Sequence, residues 1–324
     1  MPDDSISPPR RIGVLDVGTN TVKSLVAEGR GRSFRVLAER IWGTRLGEGI
    51  ASGGSLGEVA MARTLRAAAD ARREFDALGV EERRAVATSA AREAANGAEF
   101  ARRFRETVGF ELRVLSGEEE AALAFLATAG DPALVPPGTG AVVMNAGGGS
   151  AEWASGTAGH VEQRVSLSLG CVRMTERFLR GDPYAAGSLQ ELAVHYATAL
   201  AAVARDFPLE DRTLVGTGGS ICAVAAILSG ESDFREEAVH GRVLSAAEVE
   251  ATAERLVRMT AGARRAIPSL PAQRADIVTA GALLYAAAMR ALGAARIVVS
   301  ARGLRYGVLF AAGEAAGASA RVRR

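Results

Sequence analysis

The chain has few of the residues that hold disulfide-rich or metal-held folds together. Its 324 residues include two cysteines, Cys171 and Cys222, which form no CxxC pair and are too few for a disulfide framework. The three histidines, His160, His195 and His240, share no metal-ligand spacing. We therefore expect both cysteines to be small buried residues in a reducing cytoplasm, and we assign the histidines no catalytic role.

Long apolar runs and a large net charge are also missing. The longest apolar tract, IVTAGALLYAAAM, is too short to span a bilayer and is typical of a buried helix. The N-terminus MPDDSISPPRR contains no apolar stretch, so no signal peptide is expected. A formal charge of +2 argues against nonspecific nucleic-acid binding, and Trp42 and Trp153 are expected to pack rather than to stack on bases. These features predict a cytoplasmic protein that binds neither membrane nor nucleic acid.

Two glycine-bearing turns are the most informative feature that is present: LDVGTNTVKSLV near the N-terminus and MNAGGGSAEW in the middle. Aligned on the turn, they pair Asp16 with Asn145, Gly18 with Gly147, Thr21 with Ser150, and Lys23 with Glu152. Each turn lies between two runs with strand character, which predicts a repeated β-hairpin. Because glycines carry no side chain, the amides of such a turn can approach a phosphate oxygen closely. Two facing turns predict a cleft that grips a phosphate chain from both sides.

The rest of the chain alternates strand-like and helix-like segments, which favours an α/β architecture. One helix is predicted from Ser55, as its N-cap, to Gly79, and another over AREAANGAEFARRFRETVG. The length predicts two domains, and Pro and Gly cluster in DPALVPPGTG just before the second hairpin. The predicted domains cover residues 10–130 and 137–310, and a C-terminal helix over 304–316 is placed to pack on the first domain.

Between Gly13 and about Gly307 the chain contains nine characteristic segments in order: GVLDVGTNTVKSLVAE, RLGEGI, AVATSAAREAAN, VLSGEEEAALAFL, AGGGSAEW, LSLGCVRMTERF, GTGGSICAVA, RADIVTAGALL and SARGLRYGVL. With them the chain closely resembles the exopolyphosphatase and guanosine pentaphosphate phosphatase family, within the actin-like and sugar-kinase-like ATPase superfamily. One glycine turn would be weak evidence, but this many segments in order are specific. The resemblance implies two ribonuclease H-like domains with a cleft between them, and hydrolysis of the terminal phosphate of a phosphoanhydride chain. The length matches the short, two-domain members.

The resemblance assigns the general base to Glu120, the glutamate immediately before the alanine of GEEEA, which would take a proton from the attacking water. Without the resemblance, carboxylates in the first turn of a helix are explained by the helix dipole. Glu118 and Glu119 keep that structural interpretation. The resemblance also implies a water or metal contact for Glu152, whose alternative is a solvated strand position.

Asp16, at the end of the first predicted strand, is a candidate ligand for Mg²⁺ or Mn²⁺, because hard cations take carboxylate and phosphate oxygens together. Its alternative is an aspartate that starts a turn. Where relatives in this family read Asp-Ile-Gly-Gly-Gly-Ser, this chain has Asn145 at the first position. Asparagine keeps an oxygen but loses the negative charge, so the resemblance implies a weaker metal site here.

Arg92 is expected to point its planar guanidinium at the phosphate chain, where it matches two oxygens. The other predicted substrate-binding residues are Gly18, Thr19, Asn20, Gly147, Gly148, Gly149 and Ser150, and a third loop of Gly218, Gly219 and Ser220. For this third loop a plain strand-to-helix turn is the alternative. Arg173 and Arg305 fit substrate contacts and inter-domain ion pairs equally well.

These residues predict a phosphohydrolase that removes the terminal phosphate from inorganic polyphosphate, with guanosine pentaphosphate (pppGpp), hydrolysed to the tetraphosphate (ppGpp), as a second candidate substrate. One alternative is a catalytically weakened protein that senses ppGpp or polyphosphate. Another is a small-molecule kinase of the same superfamily. The sequence leaves the oligomeric state open, a homodimer included.

Overall fold

The first half of the chain folds around one sheet. A computed structural model describes residues 9–50 and 54–322. The first elements are β1 (Arg10–Val17), β2 (Val22–Arg30), β3 (Ser33–Trp42), α1 (Glu58–Ala77), β4 (Glu82–Ala87), α2 (Ser89–Glu93), α3 (Gly97–Val108), β5 (Leu112–Val114) and α4 (Gly117–Thr128). The strands form a five-stranded sheet in the order β3-β2-β1-β4-β5.

The second half folds around another sheet. Its elements are β6 (Gly140–Ala146), β7 (Ala151–Thr157), β8 (His160–Leu167), α5 (Cys171–Phe178), α6 (Ala186–Asp206), β9 (Arg212–Thr217), α7 (Gly219–Ser229), α8 (Glu236–Val239), β10 (Val243–Ser245), α9 (Ala246–Arg258), α10 (Ala261–Arg265), α11 (Val278–Ala291), β11 (Arg296–Ser300) and α12 (Leu304–Val322). These strands form a six-stranded sheet in the order β10-β11-β9-β6-β7-β8.

The two sheets repeat one pairing pattern. β1 pairs antiparallel with β2 and parallel with β4, and β6 pairs antiparallel with β7 and parallel with β9. The register places Asp16 opposite Lys23 in the first hairpin and Asn145 opposite Glu152 in the second. The repeat predicted from the two glycine turns is therefore confirmed, and so is the α/β fold with two ribonuclease H-like sheets.

Two predicted helix boundaries are wrong, and one long-range contact explains both. α1 begins at Glu58 with Gly57 as its N-cap, so Ser55 does not cap it. The helix predicted over AREAANGAEFARRFRETVG is divided into α2 and α3, with Asn96 between them. The Asn96 side chain accepts a hydrogen bond from the Leu56 N–H (2.8 Å) and donates to the Leu56 carbonyl (3.0 Å). These bonds hold the chain extended before α1 and keep Asn96 itself out of a helix.

The tract IVTAGALLYAAAM forms most of α11, which is buried in the second core as predicted. Among the helices within residues 9–50 and 54–322, none is both long enough and apolar enough to cross a membrane.

The last helix, α12, follows the second sheet in sequence but packs on the first. Its residues Leu304 and Leu309 share a buried cluster with Ile12 and Leu25 of the first sheet. The helix also lies against α4, because a Cβ on Gly307 would be 2.0 Å from the Leu123 carbonyl oxygen. The C-terminal helix therefore supports the helix that begins with the three glutamates.

Gly307→Ala should destabilise the protein, because the added methyl group forces α12 away from the backbone of α4. We expect the free energy of unfolding to fall by about 1–3 kcal/mol, the usual cost of overpacking, as measured by denaturant unfolding. Gly187→Ala is the matched control, because Gly187 lies in α6 with no atom within 4 Å of the new Cβ. Its stability should be unchanged or slightly higher. Equal stability of the two variants would contradict the close contact between α12 and α4.

Candidate active site

A cleft of about 390 Å³ lies between the two sheets, with walls from both halves of the chain. Three loops line it: the turn between β1 and β2, the turn between β6 and β7, and the loop after β9. The predicted substrate-binding residues on its surface are Gly18, Thr19, Asn20, Gly147, Gly148, Gly218 and Gly219, and the predicted residues Asp16, Glu120 and Asn145 line it as well. β6 and β9 run parallel, so their carboxyl ends meet at one edge of the sheet, where ligands of such folds bind.

The two hairpin turns have the same local geometry and touch each other. The Gly18 N–H donates to the Thr21 carbonyl at 2.9 Å, and the Gly147 N–H donates to the Ser150 carbonyl at 3.0 Å. A Cβ on Gly148 would lie 2.9 Å from the Cβ of Thr19. Glycine is therefore needed at 148 for the second turn to approach the first.

The three consecutive glutamates at the start of α4 have three different environments. Glu119 forms a capping box with Ser116: it accepts from the Ser116 N–H at 2.8 Å, and its own N–H donates to the Ser116 hydroxyl at 3.1 Å. Glu118 is 66% exposed and lies 3.4 Å from Arg164. Glu120 is 3% exposed and lines the cleft. The structural interpretation of Glu118 and Glu119 is confirmed, and Glu120 alone faces the cleft.

The Glu120 carboxylate forms an ion pair with Arg92, which also donates to the Leu115 carbonyl at 2.8 Å. Burial raises the pKa of Glu120 well above its usual value, the neighbouring Glu152 carboxylate raises it further, and Arg92 opposes both effects. A raised carboxyl pKa is what a general base needs near neutral pH. Arg92 does not itself line the cleft, but its guanidinium contacts the predicted base, which does.

Glu152 is 1% exposed, and both of its oxygens are occupied. Oε1 accepts from the Ser166 hydroxyl at 3.1 Å, and Oε2 accepts from Asn145 Nδ2 at 2.8 Å. Burial raises the pKa of Glu152. An aspartate at position 145 could not donate this hydrogen bond, so the departure from the family pattern changes how Glu152 is held.

Asp16 is the predicted metal ligand whose geometry fits a cation. It lines the cleft, and its Oδ1 is buried without a hydrogen-bond partner, while Oδ2 lies 3.8 Å from Lys23 Nζ. Burial raises the pKa of Asp16, although Lys23 and Arg305 lower it. Within residues 9–50 and 54–322, no three His, Cys, Asp or Glu side chains form a metal cluster. One bare carboxylate oxygen fits Mg²⁺ or Mn²⁺ that takes its remaining ligands from phosphate and water.

Other residues predicted for the site lie behind the cleft wall. Gly149 packs on Ser89, whose Oγ would be 2.3 Å from a Cβ at that glycine. Ser150 and Ser220 are buried and do not line the cleft. Arg173 donates to the Gly149 carbonyl at 2.8 Å and contacts Glu93 of the first half at 2.5 Å. Of the two interpretations of Arg173, the structure shows the ion pair.

The sequence interpretation missed part of the cleft wall. Lys23 and Arg274 line it, and a Cβ on Gly219 would be 1.8 Å from the guanidinium carbon of Arg274. Arg305, already a candidate for a substrate contact or an inter-domain ion pair, lines the cleft and pairs with Glu39 of the first half. The sequence marks only the first of these residues as unusual, because Lys23 is the only lysine of the chain. Arg274 comes with the RADIVTAGALL segment, but nothing in that segment indicates that its arginine reaches a loop following β9.

Comparisons with known proteins agree with this architecture. The sequence profile of the Ppx/GppA phosphatase family matches residues 25–314. The chain is similar to a Mycobacterium tuberculosis protein described as Exopolyphosphatase 2, with 33% identity over 289 residues, which cover 85% of this chain and 88% of that relative. It superposes on the Aquifex aeolicus member of the Ppx/GppA family with a TM-score of 0.79 and 28% identity, over 94% of this chain and 98% of that one. An exopolyphosphatase from Cytophaga hutchinsonii superposes with a TM-score of 0.86 and 25% identity, again over 94% and 98%.

Proposed function

We propose that this chain, which belongs to the Ppx/GppA phosphatase family of hydrolases, removes the terminal phosphate from inorganic polyphosphate. The observation that carries the proposal is Glu120, a buried carboxylate on the wall of a cleft whose glycine turns face each other. The named exopolyphosphatases among its relatives support the choice of polyphosphate.

In this proposal the terminal phosphate lies in the cleft beside the two hairpin turns, and Glu120 accepts a proton from the attacking water. The turn amides donate to the equatorial oxygens of the phosphorus under attack, which stabilises the charge that develops there. Burial and Glu152 raise the pKa of Glu120, and Arg92 opposes them by favouring the ionised carboxylate. Glu152, held by Asn145 and Ser166, adds negative charge that keeps the pKa of Glu120 high.

We propose Mg²⁺ or Mn²⁺ as the cofactor, with Asp16 as its protein ligand, because this residue lines the cleft and its Oδ1 has no hydrogen-bond partner. Such a cation neutralises the charge of the phosphate oxygens. Asn145 and Glu152 already bond each other, so they are placed to support the site rather than to supply free oxygens.

Phosphate release tests the proposal directly. Long-chain polyphosphate should release orthophosphate in the presence of Mg²⁺ or Mn²⁺, and chelation should stop it. Binding of polyphosphate without any release would instead identify the sensor alternative. Transfer of phosphate to a small molecule, with no release to water, would identify a kinase.

A second candidate substrate is pppGpp, which the apolar part of the cleft favours. Ile41 of the first half and Phe234 of the second line the cleft, and they are 48% and 41% exposed. A polyphosphate chain has no apolar surface to place against them, whereas a purine base does. Measuring phosphate release from pppGpp beside polyphosphate separates the two candidates.

Asn145→Asp should make the thermal stability and the activity of the protein respond more strongly to Mg²⁺. The new carboxylate would lie beside Glu152 at hydrogen-bond distance, so that the metal-free site must hold either two like charges or a shared proton. We expect a steeper rise of Tm with Mg²⁺ concentration and half-maximal activity at a lower Mg²⁺ concentration than in the wild type. Asn145→Ser, which adds no charge, is the control. A Tm and an activity that respond to Mg²⁺ as in the wild type would place Asn145 outside the surroundings of the metal.

A further inference from the structure

Arg305 is a buried cation with an unused donor. Its side chain is 8% exposed, lines the cleft and comes from α12. Nη2 donates to Glu39 Oε2 at 3.1 Å, but Nη1 is buried and has no hydrogen-bond partner. Leaving a charged donor buried and unpaired is costly, so this atom requires an acceptor that its protein neighbours do not supply.

Glu39 orients the Arg305 guanidinium but leaves its Nη1 donor without a hydrogen-bond acceptor. One carboxylate oxygen of Glu39 accepts from Arg305, and the other accepts from the Tyr306 hydroxyl at 2.6 Å. Both Glu39 oxygens therefore accept hydrogen bonds from residues of α12, and Arg305 Nη1 has no partner. The ion pair with Glu39 fixes the planar guanidinium of a residue that lines the cleft.

The surroundings of Arg305 favour an anion. Lys23 lines the same cleft. Burial lowers the pKa of its ammonium group, Asp16 opposes this effect, and repulsion from Arg305 and Arg274 lowers the pKa further. These three cations come from β2, from the turn at residues 272–274 and from α12, and none belongs to the glycine turns. Carboxylates line the same cleft (Asp16, Glu39, Glu120 and Glu236), so an anion here would be bound by contacts with individual cations and not by a net positive charge of the cleft.

We propose that Arg305 Nη1 is the donor of a second phosphate subsite, which binds a phosphate group further along the chain than the one under attack. This inference rests on the proposed function, because it assumes a substrate with several linked phosphates. Arg305 contacts the departing part of the chain in the ground state and in the transition state alike. It should therefore contribute to substrate affinity more than to turnover.

Arg305→Gln tests the subsite with sodium tripolyphosphate as the probe. Isothermal titration should show an affinity about 10 to 100 times lower than that of the wild type, the range for a lost charge-assisted hydrogen bond. With polyphosphate as substrate, KM should rise by a similar factor while kcat changes little. Arg302→Gln is the matched control, because Arg302 begins the same segment but contacts Asp131 at 2.9 Å and does not line the cleft. Equal tripolyphosphate affinity in wild type and Arg305→Gln overturns the subsite.

Glu39→Gln keeps the test decisive if Arg305→Gln does not fold. Glutamine still accepts from Arg305 and can donate to the Tyr306 oxygen, but it removes a negative charge beside Nη1. Tripolyphosphate should bind several times more tightly at low salt, which damage to the fold cannot produce. Unchanged or weaker binding overturns the subsite. A wild type that binds tripolyphosphate through Arg305 without releasing phosphate would refute the proposed hydrolysis and leave the subsite standing.

Discussion

Glu120→Gln should lower the turnover of polyphosphate by about 10² to 10⁴, the usual contribution of a general base, while tripolyphosphate still binds. Glutamine fills the same volume on the cleft wall but cannot accept a proton from water. The measurement is kcat for phosphate release at saturating Mg²⁺, combined with titration of tripolyphosphate. Separating turnover from binding assigns the loss to the chemical step.

Glu118→Gln is the control for this variant, because it makes the same change two residues earlier on the same helix, at a side chain that is 66% exposed. Its kcat should stay within about twofold of the wild-type value, as expected for a screened surface charge. Near-full turnover in Glu120→Gln would remove Glu120 from the mechanism, even if the protein proves to be an exopolyphosphatase.

Arg92→Ala should move the acidic limb of the pH–rate profile to higher pH by about 1 to 3 units, the usual effect of an adjacent opposite charge on a carboxyl pKa. Burial and Glu152 raise the pKa of Glu120, and Arg92 is the group that lowers it. Without the guanidinium, Glu120 stays protonated, and therefore inactive as a base, up to a higher pH. At neutral pH the rate should fall by about tenfold or more and recover as the pH rises.

Arg113→Ala is the matched control, because Arg113 pairs with Glu119, whose carboxylate faces away from the cleft. It should leave the profile in place. A substrate contact of Arg92 has a separate signature, since losing it would reduce the salt dependence of polyphosphate affinity. A profile that does not move in Arg92→Ala would show that the ion pair has no influence on the base.

Much of the fold was visible in the sequence because it depends on short-range patterns. The two turns share glycines at equivalent positions, and the alignment of Asp16 with Asn145 and of Lys23 with Glu152 agrees with the equivalent registers of the two hairpins. The wrong helix boundaries have the opposite origin. They depend on Asn96 and Leu56, which are 40 residues apart, and no local pattern indicates that these two will bond.

The features of the candidate active site were likewise only partly predictable from the sequence. Glu120 was identified from its place in GEEEA, and its burial is consistent with that choice. The ion pair between Arg92 and Glu120 was not predictable, because the two residues are 28 positions apart in the sequence. The sequence shows that Asn145 lacks the negative charge of the family's aspartate. Its hydrogen bond to Glu152 exists only in the folded hairpin.

The sequence by itself determined the repeated hairpins, the α/β class and the identity of the chemical groups, because strand periodicity, glycine turns and residue types act over a few neighbouring positions. Only the tertiary structure decided the charge state and orientation of those groups. Burial and opposing charges come from segments that are distant along the chain, as when α12 brings Arg305 to Glu39 and the first half brings Glu120 near Glu152. A pKa or an unpaired donor belongs to such an environment and cannot be assigned to one residue alone.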